Sequence, residues 1–373
     1  MKILKNVLNT FVIGAFFASC TSDDIETRIE TRTETETIEI TPDTKFENGF
    51  FVSAEGRFGS KDGSISFVEN DLSTTTNFVY DKVNDVKLGG LIQSVAFNGD
   101  NAYVILNDVN SIVVIDKVTF KKKAVITSKL GNPRYMTFSG GKGYITNWGE
   151  GTNENDDYLA VLNLETNKIE DATIPLANGV EQIVSKDNKL YVSHKGGFTS
   201  NNIISVVDLS ANNEVEEITV KDNPDELFFT EDGNLVVLSE GKPTFGPAPN
   251  FEIISRSPSA ISFIDTETNN IIRDIVFAEN TGSSLLSKEG NKLYYYYKNK
   301  VFEISEDATE LATDESGIDV GNIYGMSVND KTLYTVNYAF TTFSELKVRD
   351  IATKTTKFSS SVGLGASKIY FID

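Results

Sequence analysis

EQIVSKDNKLYVSHKGGFTSNNIISVVD, at residues 181–208, contains three short apolar runs separated by polar turns. The runs span 182–185, 190–193 and 203–207 and are rich in β-branched residues. Lys-Asp-Asn, Gly-Gly and Ser-Asn-Asn clusters bound them, and short runs bounded in this way are typical of antiparallel strands. This stretch therefore predicts three strands of one antiparallel sheet.

The same three-strand unit recurs along the chain, usually with a fourth, more polar strand after it. Seven segments match its first strand, and they are 93–97, 134–138, 181–185, 225–229, 283–287, 324–328 and 367–371. Their starting positions are separated by 41, 47, 44, 58, 41 and 43 residues. A period of about 40 to 45 residues with four strands per unit is the signature of propeller blades. The sequence thus predicts an all-β, seven-bladed β-propeller.

The two ends of the chain distinguish a closed ring from an open solenoid. The first strands of the chain are of the second, third and fourth type, at 49–54, 64–68 and 75–80, and its last strand is a lone first-type strand, 367–371. Together these segments complete one blade, whereas a solenoid would need caps. We expect the N-terminal strands to pair with the C-terminal strand and to close a propeller that occupies residues 46–373.

The N-terminal residues have the pattern of an exported protein. MKILKNVLNTFVIGAFFASC, the first twenty residues, has a basic opening and an apolar run that is too short to span a bilayer. This pattern predicts a secretory signal peptide at residues 1–19. Cys20 is the only cysteine of the chain, so it has no partner for an internal disulfide. Residues 20–45 are rich in threonine and charge and predict a flexible tether.

The residues around Cys20 resemble two sorting signals. Phe17, Ala18 and Ser19 are similar to the lipobox of bacterial lipoproteins, although Phe17 stands where the lipobox usually has leucine. The resemblance implies cleavage before Cys20 and acylation of its thiol and amine. The acidic stretch at 21–24 resembles the signal that sends lipoproteins of the Bacteroidetes to the outer face of the outer membrane. We therefore expect a lipid-anchored, surface-exposed protein whose only membrane contact is its anchor.

The charge balance limits the partners that this chain can bind. Its formal net charge is −20, from 54 acidic and 34 basic residues. Binding to phosphate backbones needs a basic surface, so nucleic acid is not an expected partner. A large net charge favours solubility and mutual repulsion. We expect a monomer.

Short phrases within the blades resemble a known family. The YVTN-type β-propellers are similar to this chain in LYVS at 190–193, VID at 114–116, FIDT at 263–266 and the Asn-Pro turns at 132–133 and 223–224. The opening FFVSAEG at 50–56 resembles more specifically the propeller lipoproteins of Bacteroidetes outer surfaces. Some of these relatives capture cobalamin and sit on a TonB-dependent transporter. The resemblance thus implies a propeller whose partner is a small-molecule ligand, such as a corrinoid, or an outer-membrane transporter.

The loops of one propeller face are the expected place for function. Loops from second to third and from fourth to first strands open on this face, and loops of variable length there usually carry function. The 58-residue spacing marks an added loop at 241–259. Aromatic platforms with a few polar groups suit a flat or amphipathic molecule or a protein; alternatively, these rings pack against their own loops. The candidate ligand-binding residues are Arg57, Phe58, Arg134, Trp148, His194, Phe198 and Tyr338.

Catalytic groups are hard to assemble from this sequence. His194 is the only histidine, which we expect in a surface loop, and neither Gly-x-Ser-x-Gly nor Gly-x-x-x-x-Gly-Lys occurs. The acidic loop at 150–157 lacks the ligand spacing of an EF-hand, so we interpret it as solvated. Four aspartates that close third strands are predicted turn caps, and they are Asp116, Asp208, Asp265 and Asp350. We predict no catalytic residue, no cofactor and no metal site.

Three hypotheses for function remain open. The preferred one is a non-enzymatic surface protein that binds a small ligand, or docks on a transporter, through its loop face. The first alternative is a metal-dependent, lactonase-like hydrolase, because propellers of similar repeat hold a divalent ion in the channel with carboxylates and amides. Its candidate residues are Glu55, Asn107, Asn147 and Glu181. The second alternative is a structural interaction scaffold, in which the 241–259 loop matters more than any pocket residue.

Overall fold

Seven antiparallel sheets of four or five strands form from the residues that the computed structural model describes, which are 40–41, 44–250 and 252–372. Each sheet is one blade of a seven-bladed β-propeller, which confirms the predicted fold. The predicted signal peptide, Cys20 and the tether residues up to 39 lie outside the described residues and stay predictions. Within the described ranges, no helix is long and apolar enough to cross a membrane.

The strands of the first four blades follow the chain, except that blade 1 includes the last strand. Blade 1 consists of β1 (Gly49–Ala54), β2 (Ser64–Glu69), β3 (Thr75–Thr76) and β31 (Ala366–Phe371). Blade 2 consists of β4 (Ile92–Asn98), β5 (Asn101–Leu106), β6 (Ser111–Asp116) and β7 (Lys122–Ile126). Blade 3 consists of β8 (Pro133–Ser139), β9 (Lys142–Asn147), β10 (Tyr158–Asn163), β11 (Lys168–Ile169) and β12 (Ile174–Pro175). Blade 4 consists of β13 (Val180–Lys186), β14 (Lys189–His194), β15 (Ile203–Asp208) and β16 (Glu214–Thr219).

The remaining three blades include one inserted hairpin. Blade 5 consists of β17 (Pro224–Phe229), β18 (Leu235–Ser239), β21 (Ala260–Asp265) and β22 (Asn270–Val276), with the hairpin β19 (Pro243–Phe245) and β20 (Ile253–Arg256) between β18 and β21. Blade 6 consists of β23 (Leu286–Glu289), β24 (Lys292–Tyr297), β25 (Lys300–Ser305) and β26 (Ile318–Asp319). Blade 7 consists of β27 (Ile323–Asn329), β28 (Thr332–Asn337), β29 (Glu345–Asp350) and β30 (Thr356–Ser361). A helix, α1 (Val79–Asn84), and a 3-10 turn (Asp314–Ser316) lie between strands.

The second and third strands of blades 2 to 5 are buried along most of their length. In β14 every residue from Leu190 to His194 is buried, and in β15 every residue from Ile203 to Val207 is buried. Because neighbouring blades pack face to face, such strands are covered on both faces and read as unbroken runs of apolar and small residues. The outer strand β16 is mostly exposed and carries glutamates, as expected of an edge strand.

The ring closes through the pairing of the first strand with the last. β1 pairs antiparallel with β31, with Phe50 opposite Phe371 and Val52 opposite Ile369. The fully buried Phe50 ring packs against Tyr334 of blade 7 and Phe371, with ring centroids 4.9 and 5.8 Å apart. The predicted closure by an N-terminal and a C-terminal strand is therefore confirmed.

Hydrophobic clusters lie between adjacent blades rather than in one central core. Between blades 1 and 2, the Phe120 ring meets Phe46 and Phe51 edge to face, with centroids 5.3 and 4.7 Å apart. Between blades 5 and 6, Phe277 packs edge to face on Tyr295 at 5.4 Å. Edge-to-face geometry is a favoured arrangement of aromatic pairs. The apolar side chains therefore pack mainly between blades, and the channel along the ring axis is lined by both polar and apolar side chains.

The four aspartates that close third strands cap the following turns, as predicted. Asp116 accepts the backbone N–H of Thr119 at 2.9 Å, and Asp350 accepts that of Thr353, also at 2.9 Å. The bond from Thr353 lowers the pKa of Asp350 to about 2. Asp208 and Asp265 make equivalent bonds, each 2.8 Å long, to residues two positions later.

Two predicted strands are only partly present. The first strand of blade 6 was expected at 283–287, but β23 begins at Leu286. The segment 75–80 was expected to be extended, but β3 ends at Thr76 and α1 begins at Val79. Phe78, between them, has the left-handed φ of 58°, which interrupts the extended backbone. The apolar residues Val79 and Tyr80 are buried as the start of a helix instead.

Candidate functional site

β-Bulges at the start of the first strands place side chains in the central channel. In β8, β13 and β17 the pairing with the neighbouring strand shifts near the first residues, and bulges of this kind redirect side chains. The residues left out of the ladder in β8, β13 and β17 are Arg134, Tyr135, Glu181, Gln182, Asp225 and Glu226. Three consecutive blades thus present charged or polar pairs to the ring axis.

The upper part of the channel is a cavity of about 380 Å³, here called the channel cavity. The described residues that line it include five carboxylates and three cations. The carboxylates are Glu55, Glu181, Asp225, Glu226 and Glu240, and the cations are Arg134, Lys195 and Lys368. A second cavity of about 460 Å³, the lower cavity, continues the channel and shares Tyr135, Glu226, Leu285, Ser367 and Lys368 with it.

Arg134 is held in place by Glu181 and Trp148. Its Nε and Nη2 donate to the two carboxylate oxygens of Glu181 at 3.0 and 2.8 Å, a bidentate ion pair. The guanidinium carbon lies 3.8 Å from the ring centre of Trp148, a cation–π contact. The indole N–H of Trp148 donates to the carbonyl of Val180 at 2.6 Å, which fixes the ring. Arg134 and Trp148, both predicted site residues, therefore lie together in blade 3 and contact the first strand of blade 4.

Lys195 bridges two carboxylates of blade 5. Its Nζ lies 2.7 Å from Asp225 and 3.0 Å from Glu240. Burial raises the pKa of Glu240 to about 7, against the attraction of Lys195. Lys195 is thus shared by the carboxylates of Asp225 and Glu240. The Glu240 carboxyl group binds and releases its proton near neutral pH.

Glu226 and Lys368 are charged residues that line both cavities. Lys368 Nζ lies 3.7 Å from Glu226 and 5.2 Å from the ring centre of Tyr135. Gln182 donates to the other oxygen of Glu226 at 2.7 Å. Burial raises the pKa of Glu226, although Lys368 opposes this. Blades 1, 4 and 5 are therefore linked across the channel by polar contacts.

An open pocket lies beside the channel mouth, between blade 4 and the inserted hairpin. This rim pocket has a volume of about 630 Å³ and shares Lys195 and Glu240 with the channel cavity. Phe198 and Phe245 line it and are 80% and 55% exposed. The loop at 241–259 was predicted to be an added functional loop, and its hairpin supplies one wall of this pocket.

Two glycines allow the aromatic rings near the rim pocket to approach each other. A Cβ at Gly197 would lie 2.8 Å from the Trp148 ring, and a Cβ at Gly151 would lie 3.3 Å from Phe198 and 3.8 Å from Trp148. Side chains at either position would displace these rings. Trp148 is thus close both to Arg134 and to the aromatic wall of the rim pocket.

The other predicted site residues are spread around the mouth. Arg57 pairs with Asp62 of its own loop at 2.8 Å, which supports the alternative that this residue stabilises its loop. Phe58 is 89% exposed and does not line the channel cavity or the rim pocket. Tyr338 is exposed and packs edge to face on Tyr324, with centroids 5.2 Å apart.

His194 is not in a surface loop, which corrects the prediction. It is the last residue of β14 and has no exposed surface. Its Nδ1 lies 3.0 Å from the carbonyl of Asn178, and its Nε2 lies 2.8 Å from the hydroxyl of Ser205. Burial lowers its pKa to about 4, so the ring is neutral at physiological pH. His194 does not line the channel cavity, the lower cavity or the pocket beside the channel mouth.

Three of the four residues suggested for a metal ion line the channel cavity, and the fourth binds backbone groups outside it. Glu55, Asn107 and Glu181 line the channel cavity. Asn147 is buried, and its side chain accepts the N–H of Gly131 at 3.0 Å and donates to the carbonyl of Ile145 at 2.9 Å. In the part of the chain that the structure describes, no three acidic, histidine or cysteine side chains are arranged to hold a metal ion.

The acidic loop at 150–157 is not wholly solvated. Asp157 is buried and accepts the backbone N–H groups of Gly179 and Val180 at 2.7 and 3.1 Å. Burial raises its pKa to about 6, and these bonds oppose the shift. Asp156 accepts the N–H of Glu150 at 2.9 Å. These carboxylates therefore fasten the loop.

Several residues of the channel were not predicted as site residues. They are Lys195, Asp225, Glu226, Glu240 and Lys368. A signal was present, because charged residues stand at the start of innermost strands that are otherwise apolar, as in the Asp225-Glu226 pair after the Asn-Pro turn. Their partners lie 30 or more positions away in sequence, and only the ring brings them together.

The fold and the site define a class: a seven-bladed β-propeller with an ionic network in its channel and an aromatic pocket at the mouth. The chain belongs to the family described as domain of unknown function DUF5074, whose model matches residues 48–242. No curated protein has a sequence that matches this one.

Solved structures share the fold at low sequence identity. A proposed 6-phosphogluconolactonase of Bacteroides fragilis is 13% identical, with a TM-score of 0.62 over 90% of this chain and 100% of that chain. A proposed 6-phosphogluconolactonase of Bacteroides uniformis is also 13% identical, with a TM-score of 0.61 over 88% and 100%. Apo AztD of Citrobacter koseri is 13% identical, with a TM-score of 0.51 over 88% and 98%. At this identity the similarity shows the fold alone.

Replacing Arg134 by methionine removes the partner of a buried carboxylate. We expect the Arg134→Met substitution to lower the free energy of unfolding by about 3–5 kcal/mol, because Glu181 is left buried and unpaired. Arg57→Met is the matched control, and loss of its exposed pair with Asp62 is expected to cost about 0–1 kcal/mol. Urea denaturation of both variants measures the difference. Equal losses would contradict the structural role of the Arg134–Glu181 pair.

The carboxyl group of Glu240 is expected to titrate near pH 7. Its folded pKa lies above the 4.5 of an ordinary glutamate, so its stabilising effect is full below pH 4.5 and is lost as the pH rises through 7. Lys195→Met should raise the pKa of Glu240 further, since Lys195 stabilises the carboxylate. Lys292→Met, at an exposed ion pair in blade 6, is the control. Carbon NMR of the side-chain carboxyls tests this, and titration of Glu240 near pH 4.5 would contradict it.

Proposed function

We propose that this chain is a non-enzymatic binding protein that captures a small amphipathic molecule at the mouth of its channel. The observation that carries the proposal is the continuity of the rim pocket and the channel cavity through Lys195 and Glu240. Exposed Phe198 and Phe245 offer apolar contact area, and the channel cavity offers charged groups below them. Concave sites with aromatic walls and a few oriented polar groups are typical of small-molecule binding.

The ionic network suits binding because its groups are already held in position. Arg134 is fixed by Glu181 and Trp148, and Lys195 is fixed by two carboxylates. A preorganised site loses little conformational freedom when a ligand binds. The ligand therefore meets a rigid polar base and an aromatic wall that projects into solvent.

The location in the cell is part of the same proposal. The lipobox-like residues before Cys20 and the acidic stretch at 21–24 support a lipid anchor on the outer face of the outer membrane. A tether up to residue 45 would hold the propeller away from the membrane. A captured nutrient, such as a corrinoid, would then pass to a TonB-dependent transporter.

A metal-dependent hydrolase remains the alternative function. It is favoured by Glu55, Asn107 and Glu181, which line one cavity. The engagement of Glu181 with Arg134 and of Asn147 with backbone groups argues against it. Metal analysis of the purified protein distinguishes the two, because a stoichiometric divalent ion bound through Glu55 would favour hydrolysis.

Binding should change the fluorescence of Trp148, the only tryptophan of the chain. We expect one class among corrinoids, haem, siderophores and glycans to give a saturable change. The double substitution Phe198→Ala and Phe245→Ala should weaken binding at least about tenfold, since it removes the apolar contact area that the two rings offer in the rim pocket. Phe58→Ala is the control. The Phe58 ring is exposed on blade 1 and lines neither the channel cavity nor the rim pocket, so this variant should bind the ligand as the unaltered protein does.

Two outcomes would count against the proposal. Saturable binding that is unaffected by the double substitution would place the ligand elsewhere. Failure of every probe to bind, in fluorescence and in calorimetry, would favour the interaction scaffold, which predicts that removal of residues 241–259 disrupts a protein contact instead.

A further inference from the structure

We infer that the end of the channel cavity next to Glu55 and Asn107 binds an organic ammonium group. This inference rests on the proposed capture function, and it specifies the charge that the ligand carries. It depends on three features of the cavity: a carboxylate without a cation, an amide oxygen without a donor, and a neighbouring aromatic cluster.

Glu55 is the carboxylate of the channel cavity that has no ion pair among the described residues. Each of the other four lies within 4 Å of a cation: Glu181 of Arg134, Asp225 and Glu240 of Lys195, and Glu226 of Lys368. Glu55 accepts only neutral donors, including the hydroxyl of Tyr324 at 3.1 Å. Lys368 and Arg134 act on Glu55 at longer range, and both have their own carboxylates. The unpaired acid is therefore localised at one end of the cavity.

Asn107 adds a second acceptor to the same end. Its Oδ1 is buried and has no hydrogen-bond partner in the part of the chain described here. Asn107 directly follows the second strand of blade 2, and its backbone N–H donates to the carbonyl of Leu91 at 3.2 Å. A buried acceptor without a donor is costly. A ligand donor at this position would remove that cost.

The residue after Asn107 fastens the backbone at this end of the cavity. Asp108 accepts the backbone N–H of Leu91 at 2.7 Å, in the turn that precedes the first strand of blade 2. Leu91 and Asn107 both line the cavity. The unpartnered amide oxygen of Asn107 is therefore carried by a backbone that is held in place.

Aromatic rings complete the surroundings of Glu55. The ring of Tyr324 packs edge to face with Tyr338 at 5.2 Å and with Phe340 at 5.3 Å, and Tyr338 is exposed at the mouth. Ring faces attract cations, and an ammonium group can combine such contacts with hydrogen bonds to a carboxylate. An ammonium group has three N–H donors or, when methylated, a diffuse positive charge. Either form matches an unpaired carboxylate, a free amide oxygen and aromatic rings.

Calorimetry with matched aromatic probes tests the inference. Benzylammonium, benzyl alcohol and benzoate have the same ring and differ in charge. We expect the full-length protein to bind benzylammonium at low ionic strength and to bind benzoate at least about tenfold more weakly, since the unpaired charge is negative. Glu55→Gln should weaken benzylammonium binding about tenfold, because the charge is lost while the acceptor for Tyr324 is kept. Asn107→Leu is the second variant, and Glu217→Gln, on the exposed strand β16, is the control.

Each outcome decides between the possibilities. Equal binding of the three probes, or undiminished binding of benzylammonium to the Glu55→Gln variant, would overturn the inference. Calcium that binds with higher affinity and displaces benzylammonium would assign the site to a metal ion and would also overturn it. If the ammonium site fails while a ligand still binds through Phe198 and Phe245, the proposed capture function stands without it. If benzylammonium binds but no ligand depends on those two rings, the cation site stands and the capture proposal fails.

Discussion

The pairing of β1 with β31 is the contact on which the site depends. It joins residues more than 300 positions apart in sequence, so that Glu55, directly after β1, lies in the same cavity as Ser367 and Lys368 of β31. The same closure places blade 1 beside blade 7, where Tyr324 donates to Glu55. Closed rings remove the exposed edges that an open array of sheets would have. Glu55 lies near the start of the propeller sequence, whereas Tyr324 and Lys368 lie near its end. Without closure of the ring, the Glu55 carboxylate would be far from both of them.

Charge in the channel is balanced locally and not as a whole. Arg134 is matched by Glu181, whereas Lys195 is shared by Asp225 and Glu240. Burial disfavours the charged form of a carboxyl group, and it raises the pKa of Glu55, Glu226 and Glu240. The excess of acids over cations thus appears as proton binding near neutral pH at Glu240 and as an unpaired carboxylate at Glu55. Both are properties of a polar binding site, and a packed apolar channel would have neither.

The sequence was sufficient to predict most of the strands, the aspartate-capped turns and the closure of the ring, because these depend on local periodicity and on the order of segments. It also named Arg134 and Trp148 as candidates, since unusual residues next to turns are visible in a single chain. It was wrong about His194, because a histidine after an apolar run has the same local pattern whether it ends a buried strand or begins a loop. It could not separate Asn107 from Asn147, because the difference is one of strand register: Asn147 ends its strand and binds backbone groups, whereas Asn107 follows its strand and lines the cavity. Lys195 and Lys368 were missed because their partners come from other blades.

Native mass spectrometry of the protein recovered directly from the cells that produce it tests the central claim most directly, the claim that the channel mouth captures a small molecule. The account predicts that the unaltered protein carries a bound molecule of one defined mass. It also predicts that the variant with alanine at positions 198 and 245 is recovered without it. The same bound mass on both proteins, or none on the unaltered protein, would contradict the account.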